Sequence, residues 1–439
     1  MLDLIIKNAD ILTMDEQSPI IRGGAVGVRG EKLVFVSESV PAEYEREGAV
    51  RIIDAKGNIV MPGLINTHAH SAMCVMRGYA DDYRLDEWLF EKIFPVEGRL
   101  TKEAVLSGVR LAVAEMIASG TTSFSDMYSN ESDTAAIVLE AGIRANLSNG
   151  IIALSDDFDF ESDRATRELR SLLKSWHGAG DGRILADASI HAEYTSPPWV
   201  WERMHALAAE NGLITHIHLS ETEKEVRECM ARHGGRTPVE MFNEHGIFDT
   251  PVLAAHCVSL TENDMNILSE KRVSAAHCPA SNLKLASGIA DIRAMAAHGI
   301  NISLGTDGCA SNNNHDLFEE IKLAALLAKG TSLDPTALPA YDAIRMATVN
   351  GARAQGRTNV GVLRPGFDAD LIMLNVHTPH LSPVYCPAAT VAYAAGGSDV
   401  CLTMVQGRIL YENGEWNTID VEKAIAEVEN IAVPIVLNS

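Results

Sequence analysis

Residues 61–70 read MPGLINTHAH, an apolar segment that closes on two histidines separated by one residue. Side chains two residues apart on a strand point to the same face, so His68 and His70 are expected to lie side by side. Imidazole is a common ligand for zinc and iron. The pair therefore suggests a metal site, although two surface histidines at a strand end would give the same local pattern.

Seven further apolar or β-branched segments follow this one, and helical patterns fill the gaps between them. The eight expected strands are 63–68, 121–125, 144–151, 184–191, 214–218, 252–256, 273–277 and 300–306. Repeated strand and helix units over about 290 residues are typical of a (β/α)8 barrel, although a doubly wound open sheet gives a similar local pattern. We predict an α/β fold with a TIM-like (β/α)8 barrel over residues 61–356.

Two of the intervening helices have clear boundary signals. Thr101 can cap a helix that Gly120 ends, and Thr237 followed by Pro238 can open another helix that Gly246 stops. The apolar face of the first helix is expected to consist of Val105, Val109, Val113 and Met116.

The two ends of the chain have a different pattern. Residues 1–60 contain short alternating strands, such as 33–37 after the turn at Arg29-Gly30-Glu31, and residues 357–420 do the same. Asn413-Gly414 is a strong hairpin signal. We expect residues 1–60 and 357–439 to pair into one small β-sandwich domain beside the barrel.

Chemically active side chains also stand at the ends of later strands. They are His191, His218, His256 and His277, followed by Asp307 after the eighth strand. A barrel gathers the C-terminal ends of its strands at one face, so residues far apart in the sequence become neighbours there. Chance placement of histidines would not select strand ends. The set therefore indicates a metal-dependent active site.

Glu221 follows His218 by three residues, where a carboxylate could act as a general base on water. A solvated glutamate favoured by a helix N-terminus would give the same pattern. His216 shares a strand face with His218 but lies deeper, so a supporting or core role is expected. Four further histidines in or beside helices receive no role: His205, His233, His245 and His298.

The composition excludes several classes of function. A net charge of −23 opposes binding to a nucleic-acid backbone, and no apolar run reaches the roughly 18 residues of a membrane span. The first ten residues lack the features of a signal peptide, and seven scattered cysteines suit a reduced compartment. We expect a cytoplasmic protein with no nucleic-acid or membrane partner, for which a homo-oligomer is compatible with the sequence.

Other catalytic motifs are incomplete. His191-Ala192-Glu193 matches one half of the cytidine-deaminase zinc signature, but the Pro-Cys-x-x-Cys half is missing. The glycines form no phosphate-binding fingerprint. Cys257 and Cys278 each follow a strand-end histidine, but covalent catalysis also needs oxyanion donors, so packing is the expected use of both thiols.

Together these residues resemble the deaminase branch of the amidohydrolase superfamily, and the resemblance covers nearly the whole chain. The segments that carry it are 61–70, 218–221, 254–257, 277–285, 304–308 and 366–371. Within that branch, Asp86-Glu87-Trp88-Leu89 and Phe94-Pro95-Val96-Glu97 are most similar to the methylthioadenosine/S-adenosylhomocysteine deaminases.

The resemblance implies a hydrolytic deaminase that converts an adenine nucleoside to the inosine analogue and ammonia. It implies one divalent metal ion, zinc or iron, because His191 stands where binuclear relatives carry a carboxylated lysine. The implied metal ligands are His68, His70, His218 and Asp307. The implied catalytic residues are Glu221, His256 and Asp307. The implied substrate-binding residues are Trp88, Glu97, His191 and Glu221.

The implied substrate contacts have distinct roles. Glu97 would accept hydrogen bonds from the ribose hydroxyls, His191 would contact the purine ring, and Trp88 would pack against the 5′ group. Members of the branch often carry an arginine at the position of Asn149. Its absence favours adenosine, 5′-deoxyadenosine and 5′-methylthioadenosine over S-adenosylhomocysteine.

Two alternatives stay open. The same metal centre serves relatives that act on a guanine, a pterin or a triazine, and Glu97 and Trp88 argue against this alternative. A catalytically inactive barrel that serves as a scaffold is a second alternative, and the intact set of ligands with Glu221 and His256 argues against it.

Overall fold

The histidine pair at residues 68 and 70 ends a buried strand of seven residues, Leu64–His70, which begins just after Gly63. A computed structural model describes residues 1–438 of the chain. Helices and strands alternate through its central part, so the prediction of an α/β fold is confirmed.

The strands fall into three stretches of the chain. The first stretch holds β1 (Leu2–Leu12), β2 (Ile20–Arg29), β3 (Lys32–Ser37), β4 (Ala49–Asp54) and β5 (Ile59–Pro62). The central stretch holds β6 (Leu64–His70), β7 (Thr121–Met127), β8 (Arg144–Ser148), β9 (Ile184–Ala186), β10 (Ala188–Ile190), β11 (Thr215–Leu219), β12 (Val252–His256), β13 (Ser274–His277), β14 (Asn301–Leu304) and β15 (Asp307–Gly308). The last stretch holds β16 (Leu371–Leu374), β17 (Val400–Val405), β18 (Arg408–Glu412) and β19 (Glu415–Trp416).

The helices mostly follow the central strands. The helices that precede β12 are α1 (Ala42–Glu47), α2 (Leu85–Glu87), α3 (Phe94–Glu97), α4 (Lys102–Ala118), α5 (Glu131–Ala141), α6 (Arg164–Ser175), α7 (Ala179–Gly182), α8 (Pro198–Asn211), α9 (Glu223–Arg232) and α10 (Pro238–Glu244). Beyond it they are α11 (Glu262–Glu270), α12 (Pro279–Lys284), α13 (Ile292–Ala297), α14 (Leu317–Ser332), α15 (Ala340–Met346), α16 (Val349–Ala354), α17 (Pro387–Tyr393), α18 (Val421–Glu427) and α19 (Val433–Leu437). Among residues 1–438, none of these helices combines the length and apolar character that crossing a bilayer requires.

Within the described residues, the central strands form two parallel five-stranded sheets, in the orders β15-β6-β7-β8-β9 and β10-β11-β12-β13-β14. A single residue, Asp187, separates β9 from β10, and two residues separate β14 from β15. At both junctions, one run of chain therefore takes part in both sheets. An isolated parallel bridge between Ile151 and Ile190 adds a further link.

Strand segments occur at all eight expected positions, with two interruptions. The expected strand 144–151 ends at Ser148, and Ile151 makes only an isolated bridge. The expected strand 184–191 breaks at Asp187, whose buried carboxylate accepts hydrogen bonds of 3.1 and 3.0 Å from Asn146 Nδ2. A buried carboxyl needs such a partner. The pattern of apolar residues does not show which residue will provide it, so it could not predict this break.

The two helices with boundary signals have the expected ends. Thr101 Oγ1 accepts a hydrogen bond from Ala104 N at 3.2 Å and caps α4. Thr237 and Glu240 form a reciprocal capping box at the start of α10, and Gly246 beyond its end has a φ of 74°. All four apolar residues expected on one face of α4 are buried: Val105, Val109, Val113 and Met116.

Strands from both ends of the chain pair in one mixed sheet, which has nine strands within residues 1–438. Strand β5 joins the halves, since it pairs in parallel with β1 and antiparallel with β16. The predicted hairpin at Asn413-Gly414 connects β18 to β19, and both turn residues have positive φ, 49° and 93°. The strand pairing defines one sheet, and a two-layered sandwich stays a prediction.

Candidate functional site

A cavity of about 330 Å³ opens where the C-terminal ends of the central strands meet. His70 ends β6, Met127 ends β7 and His256 ends β12, and all three line the cavity. Cavities of this size suit small molecules. The strand ends thus bring the predicted site residues to one place.

Four side chains converge on one point at the floor of this cavity. Asp307 Oδ1 lies 3.3 Å from His70 Nε2 and 3.5 Å from His68 Nε2, and His218 Nε2 lies 3.3 Å from His70 Nε2. Three of them, His68, His70 and Asp307, offer donor atoms that all lie within 4.8 Å of one another. In the described part of the chain, His68 Nε2 is buried without a hydrogen-bond partner. Three imidazoles and one carboxylate in this arrangement fit a divalent cation such as zinc.

The other nitrogen of each imidazole is held by a neighbour. His68 Nδ1 lies 2.9 Å from Nε2 of His216, which is itself buried. His70 Nδ1 donates to Met127 O at 2.6 Å, and His218 Nδ1 donates to His191 O at 2.7 Å. Such contacts fix the ring orientation of metal-binding histidines and leave Nε2 free to bind. His216 therefore supports His68, in line with the role expected for it.

Burial keeps two of the three histidines in the cluster neutral. It lowers the pKa of His68 to about 4 and holds the pKa of His218 well below its usual value. Burial also lowers the pKa of His70, but the hydrogen bond and negative charge of Asp307 outweigh it and raise that pKa to about 9. A cation that binds here would displace the His70 proton and take its place beside Asp307.

Asp307 is aimed at the histidines by its own surroundings. Its Oδ2 accepts hydrogen bonds from Ser281 Oγ at 2.6 Å and from Ser311 Oγ at 2.9 Å, so Oδ1 is the oxygen that faces the cluster. The backbone at Asp307 is left-handed, with a φ of 61°. Non-glycine residues in this region carry a cost of roughly 1–3 kcal/mol, which is typical of functional sites.

Glu221 and His256 form a second polar group beside the cluster. Glu221 Oε2 lies 3.7 Å from His256 Nε2, and Glu221 Oε1 accepts a hydrogen bond from Ser287 Oγ at 3.1 Å. His256 Nδ1 lies 2.9 Å from Asn282 Oδ1, so it donates there. Burial raises the pKa of Glu221. A carboxyl with a raised pKa can both take up and release a proton near neutral pH.

Glu225 is a functional residue that the sequence pattern did not single out. Its carboxylate accepts backbone hydrogen bonds from Ser220 N at 3.0 Å and from Glu221 N at 2.7 Å. It therefore holds the turn that carries Glu221. Burial and the nearby charge of Glu221 raise the pKa of Glu225 to about 7. Its only sequence signal is its place in the first turn of α9, which a surface glutamate would share.

Trp88, Glu97 and His191 line the same cavity. Within residues 1–438, three of their polar atoms are buried without hydrogen-bond partners: Trp88 Nε1, Glu97 Oε1 and His191 Nδ1. Burial raises the pKa of Glu97, although a hydrogen bond with Tyr128 opposes the shift. Buried polar atoms that face a cavity are positioned to bind a polar ligand.

Asn149 lines the cavity next to a cationic residue that the sequence pattern also missed, Arg164. Asn149 Nδ2 donates to Glu168 Oε2 at 2.9 Å, and Arg164 Nε donates to Glu168 Oε1 at 3.0 Å. The Arg164 side chain is 54% exposed. A positive group therefore stands at the cavity mouth, although the position of Asn149 itself is neutral.

The remaining strand-end and motif residues lie apart from the cavity lining. His277 is buried at the end of β13, and burial lowers its pKa to about 3. Glu193 pairs with His233 at 2.9 Å and with Arg232, so its carboxylate is already occupied. Cys257 and Cys278 are buried thiols, as expected from packing.

Comparisons with known proteins give one family. The sequence model of the Amidohydrolase family matches residues 59–410. The 5-methylthioadenosine/S-adenosylhomocysteine deaminase of Moorella thermoacetica is 45% identical over 428 residues, which cover 97% of this chain and 98% of that protein. The 5′-deoxyadenosine deaminase of Methanosarcina mazei is 45% identical over 436 residues, 99% of each chain. A crystal structure of an adenosine deaminase from Xanthomonas campestris with bound zinc has a TM-score of 0.92 at 32% identity. The match covers 99% of this chain and 98% of the chain in that structure.

Proposed function

The chain belongs to the amidohydrolase family, and from this membership we propose that it is a hydrolytic deaminase of adenine nucleosides. It is a hydrolase that acts on a C–N bond of a cyclic amidine, replaces the ring amino group with oxygen and releases ammonia. The relatives that are similar over nearly its whole length are named for this reaction.

One observation carries the proposal. A single cavity is lined by His70, His218 and Asp307 of the cluster, by the buried Glu221 beside His256, and by Glu97, whose Oε1 has no hydrogen-bond partner among the described residues. The first two supply the chemistry of hydrolysis, and the third supplies a binding group for a sugar diol. Free bases and triazines lack a diol and would leave Glu97 unsatisfied, at a cost of roughly 1–3 kcal/mol.

His68, His70, His218 and Asp307 would hold one divalent cation, for which we favour zinc over iron. A bound divalent cation is a Lewis acid that lowers the pKa of water from about 15.7 to about 7. The zinc in the structure of the Xanthomonas campestris relative supports this choice, and so does the donor set of three nitrogens and one oxygen.

The chain's own residues move the protons. Glu221 accepts a proton from the attacking water and passes it to the ring nitrogen next to C6, while the new C–O bond forms. His256, held by Asn282, orients the water, and its Nε2 faces Glu221. His256 and Asp307 then help the second proton of the water to reach the amino group, the C–N bond breaks and ammonia leaves. The product is the inosine analogue.

Glu97 binds the substrate through charge-assisted hydrogen bonds from the ribose hydroxyls, each worth about 1.5–3 kcal/mol when buried. His191 contacts the purine ring, and its low pKa of about 3 keeps it a neutral donor or acceptor. Trp88 packs against the 5′ substituent. Adenosine, 5′-deoxyadenosine and 5′-methylthioadenosine are the favoured substrates. Arg164, which pairs with Glu168, is the one arginine or lysine among the described cavity residues and could attract an acidic tail.

The proposal also covers the finer architecture. At both junctions one run of chain passes from a strand of one parallel sheet into a strand of the other, which supports an eight-stranded barrel over residues 61–356. Residues 1–60 and 357–439 would form the composite β-domain. Location in the cytoplasm and assembly into a homo-oligomer stay predictions.

The experiment that tests the function compares ammonia release from adenosine, 5′-deoxyadenosine, 5′-methylthioadenosine, S-adenosylhomocysteine, free adenine, guanine and an amino-triazine. The three neutral nucleosides should have the highest kcat/KM. If guanine or a triazine outran all of the nucleosides, the substrate class would be wrong and the heterocycle alternative would replace it.

A further inference from the structure

A second cluster of side chains that could bind a metal lies outside the cavity lining. Cys74 Sγ and Cys309 Sγ are 3.2 Å apart, and both thiols are buried. The donor atoms of Cys74, Cys309 and His315 all lie within 4.8 Å of one another. This thiol cluster plays no part in the reaction described above.

His315 is aimed into the thiol cluster. Its Nδ1 lies 2.9 Å from Thr306 Oγ1, which fixes the ring. Its Nε2 is buried and faces Cys74, and among residues 1–438 it has no hydrogen-bond partner outside the thiol cluster. An imidazole that is anchored at one nitrogen and free at the other has the arrangement of a metal ligand.

A carboxylate and a balancing cation lie beside these three donors. Glu115 Oε2 lies 4.0 Å from Cys74 Sγ, and its Oε1 accepts a hydrogen bond from His315 N at 2.9 Å, so the carboxylate is held against the cluster. Glu115 also pairs with Arg77, whose Nη2 donates to Cys74 Sγ at 3.4 Å. Two thiolates neutralise one divalent cation, and Arg77 neutralises Glu115. The loaded site would therefore bury no net charge, as a buried ionic group requires.

The distance between the sulfurs is close to the separation that a shared cation requires. Two zinc–sulfur bonds of about 2.3 Å at a tetrahedral angle place the sulfurs about 3.8 Å apart. The observed 3.2 Å therefore needs an opening of roughly 0.6 Å. A disulfide bond of about 2.0 Å would need an approach of roughly 1.2 Å.

We infer that Cys74, Cys309 and His315, with Glu115 as the fourth ligand, form a second metal site for a thiophilic divalent cation such as zinc. The site is closed and structural, because every ligand is a protein side chain. Cys74 follows the cluster residue His70 by four positions, and Cys309 follows Asp307 by two. A cation bound here would brace the two segments that carry these residues.

Metal exchange tests the inference on the intact enzyme. Protein loaded with Zn²⁺ and dialysed should retain two equivalents per chain. After exchange to Co²⁺ it should show near-ultraviolet thiolate-to-cobalt charge-transfer absorption, which ligands of nitrogen and oxygen alone cannot produce.

Cys309→Ser should lose this absorption and one equivalent of metal, whereas Cys401→Ser, at a partly buried cysteine outside the thiol cluster, should keep both. His68→Ala should keep the absorption and lose the other equivalent.

Three results would overturn the inference. They are a single equivalent with no charge-transfer absorption in the parent, absorption that survives in Cys309→Ser, and a Cys74–Cys309 disulfide in peptide maps of the metal-loaded protein. The parent measurements decide the matter even if Cys309→Ser does not fold. None of these results depends on which nucleoside the enzyme uses.

Discussion

Glu221 is the residue on which the chemistry depends, because it is the buried carboxylate next to His256. Glu221→Gln keeps the shape of the side chain but cannot take a proton. We expect kcat to fall by about 10²–10⁴ while the metal content is unchanged. Steady-state kinetics with metal analysis would measure both, and Glu223→Gln, at an exposed residue of the next helix, is the matched control. A Gln variant that kept most of its kcat would show that Glu221 is not the base.

Glu97 decides between nucleosides and free bases. Its Oε1 is buried and lacks a hydrogen-bond partner in the part of the chain that the structure describes. Glu97→Ala should lower kcat/KM for adenosine at least tenfold, about 1.4 kcal/mol, and lower it less for 2′-deoxyadenosine, which has lost one hydroxyl. Glu91→Ala, at an exposed residue of the same region, is the control. An unchanged ranking of substrates would contradict the ribose contact.

At the scale of elements, the turn between β11 and α9 sets the position of Glu221. Glu225→Ala would leave the backbone N–H groups of Ser220 and Glu221 without their acceptor, at roughly 1–3 kcal/mol each. We expect a lower kcat, a nearly unchanged KM and a lower Tm. Glu225→Gln keeps one acceptor oxygen and should recover part of the kcat. Glu228→Ala, exposed on the same helix, should match the parent, and equal activity in Glu225→Ala would rule out the positioning role.

The sequence predicted the elements better than their interruptions. Periodicity and caps predicted α4, and apolar or β-branched runs predicted strands at all eight central positions. It could not predict the break at Asp187, where the buried carboxylate accepts a hydrogen bond from Asn146 on another strand of the sheet. For the same reason Glu225 and Arg164 escaped notice, since their roles depend on neighbours that only the folded chain provides. Histidines at strand ends were predictable because the end of a strand is itself visible in the sequence.

At the scale of the whole molecule, the histidine cluster connects the two central sheets. His68, His70 and Asp307 belong to the sheet of β6 and β15, whereas His218 belongs to that of β11. A cation held by all four would link the sheets and stabilise the folded chain by RT ln(1 + [L]/Kd), about 2.7 kcal/mol at 100 times Kd. Chelation should therefore abolish activity and lower Tm.

Zn²⁺ should restore both the activity and the Tm of the chelated protein, and Mg²⁺ should not, because imidazole is a poor magnesium ligand. Zn²⁺ should restore activity in Cys309→Ser as well, because the activity depends on the cation bound at the histidine cluster. Equal Tm values for chelated and zinc-loaded protein would contradict the link between the sheets.

The most direct measurement of the central claim is one round of turnover of 5′-deoxyadenosine in water enriched in oxygen-18, followed by mass spectrometry and ammonia assay. Hydrolytic deamination predicts the intact hypoxanthine nucleoside with one oxygen-18 atom on its base, and one ammonia for each product molecule. Release of a free base, or a product without the heavy oxygen and without ammonia, would contradict it.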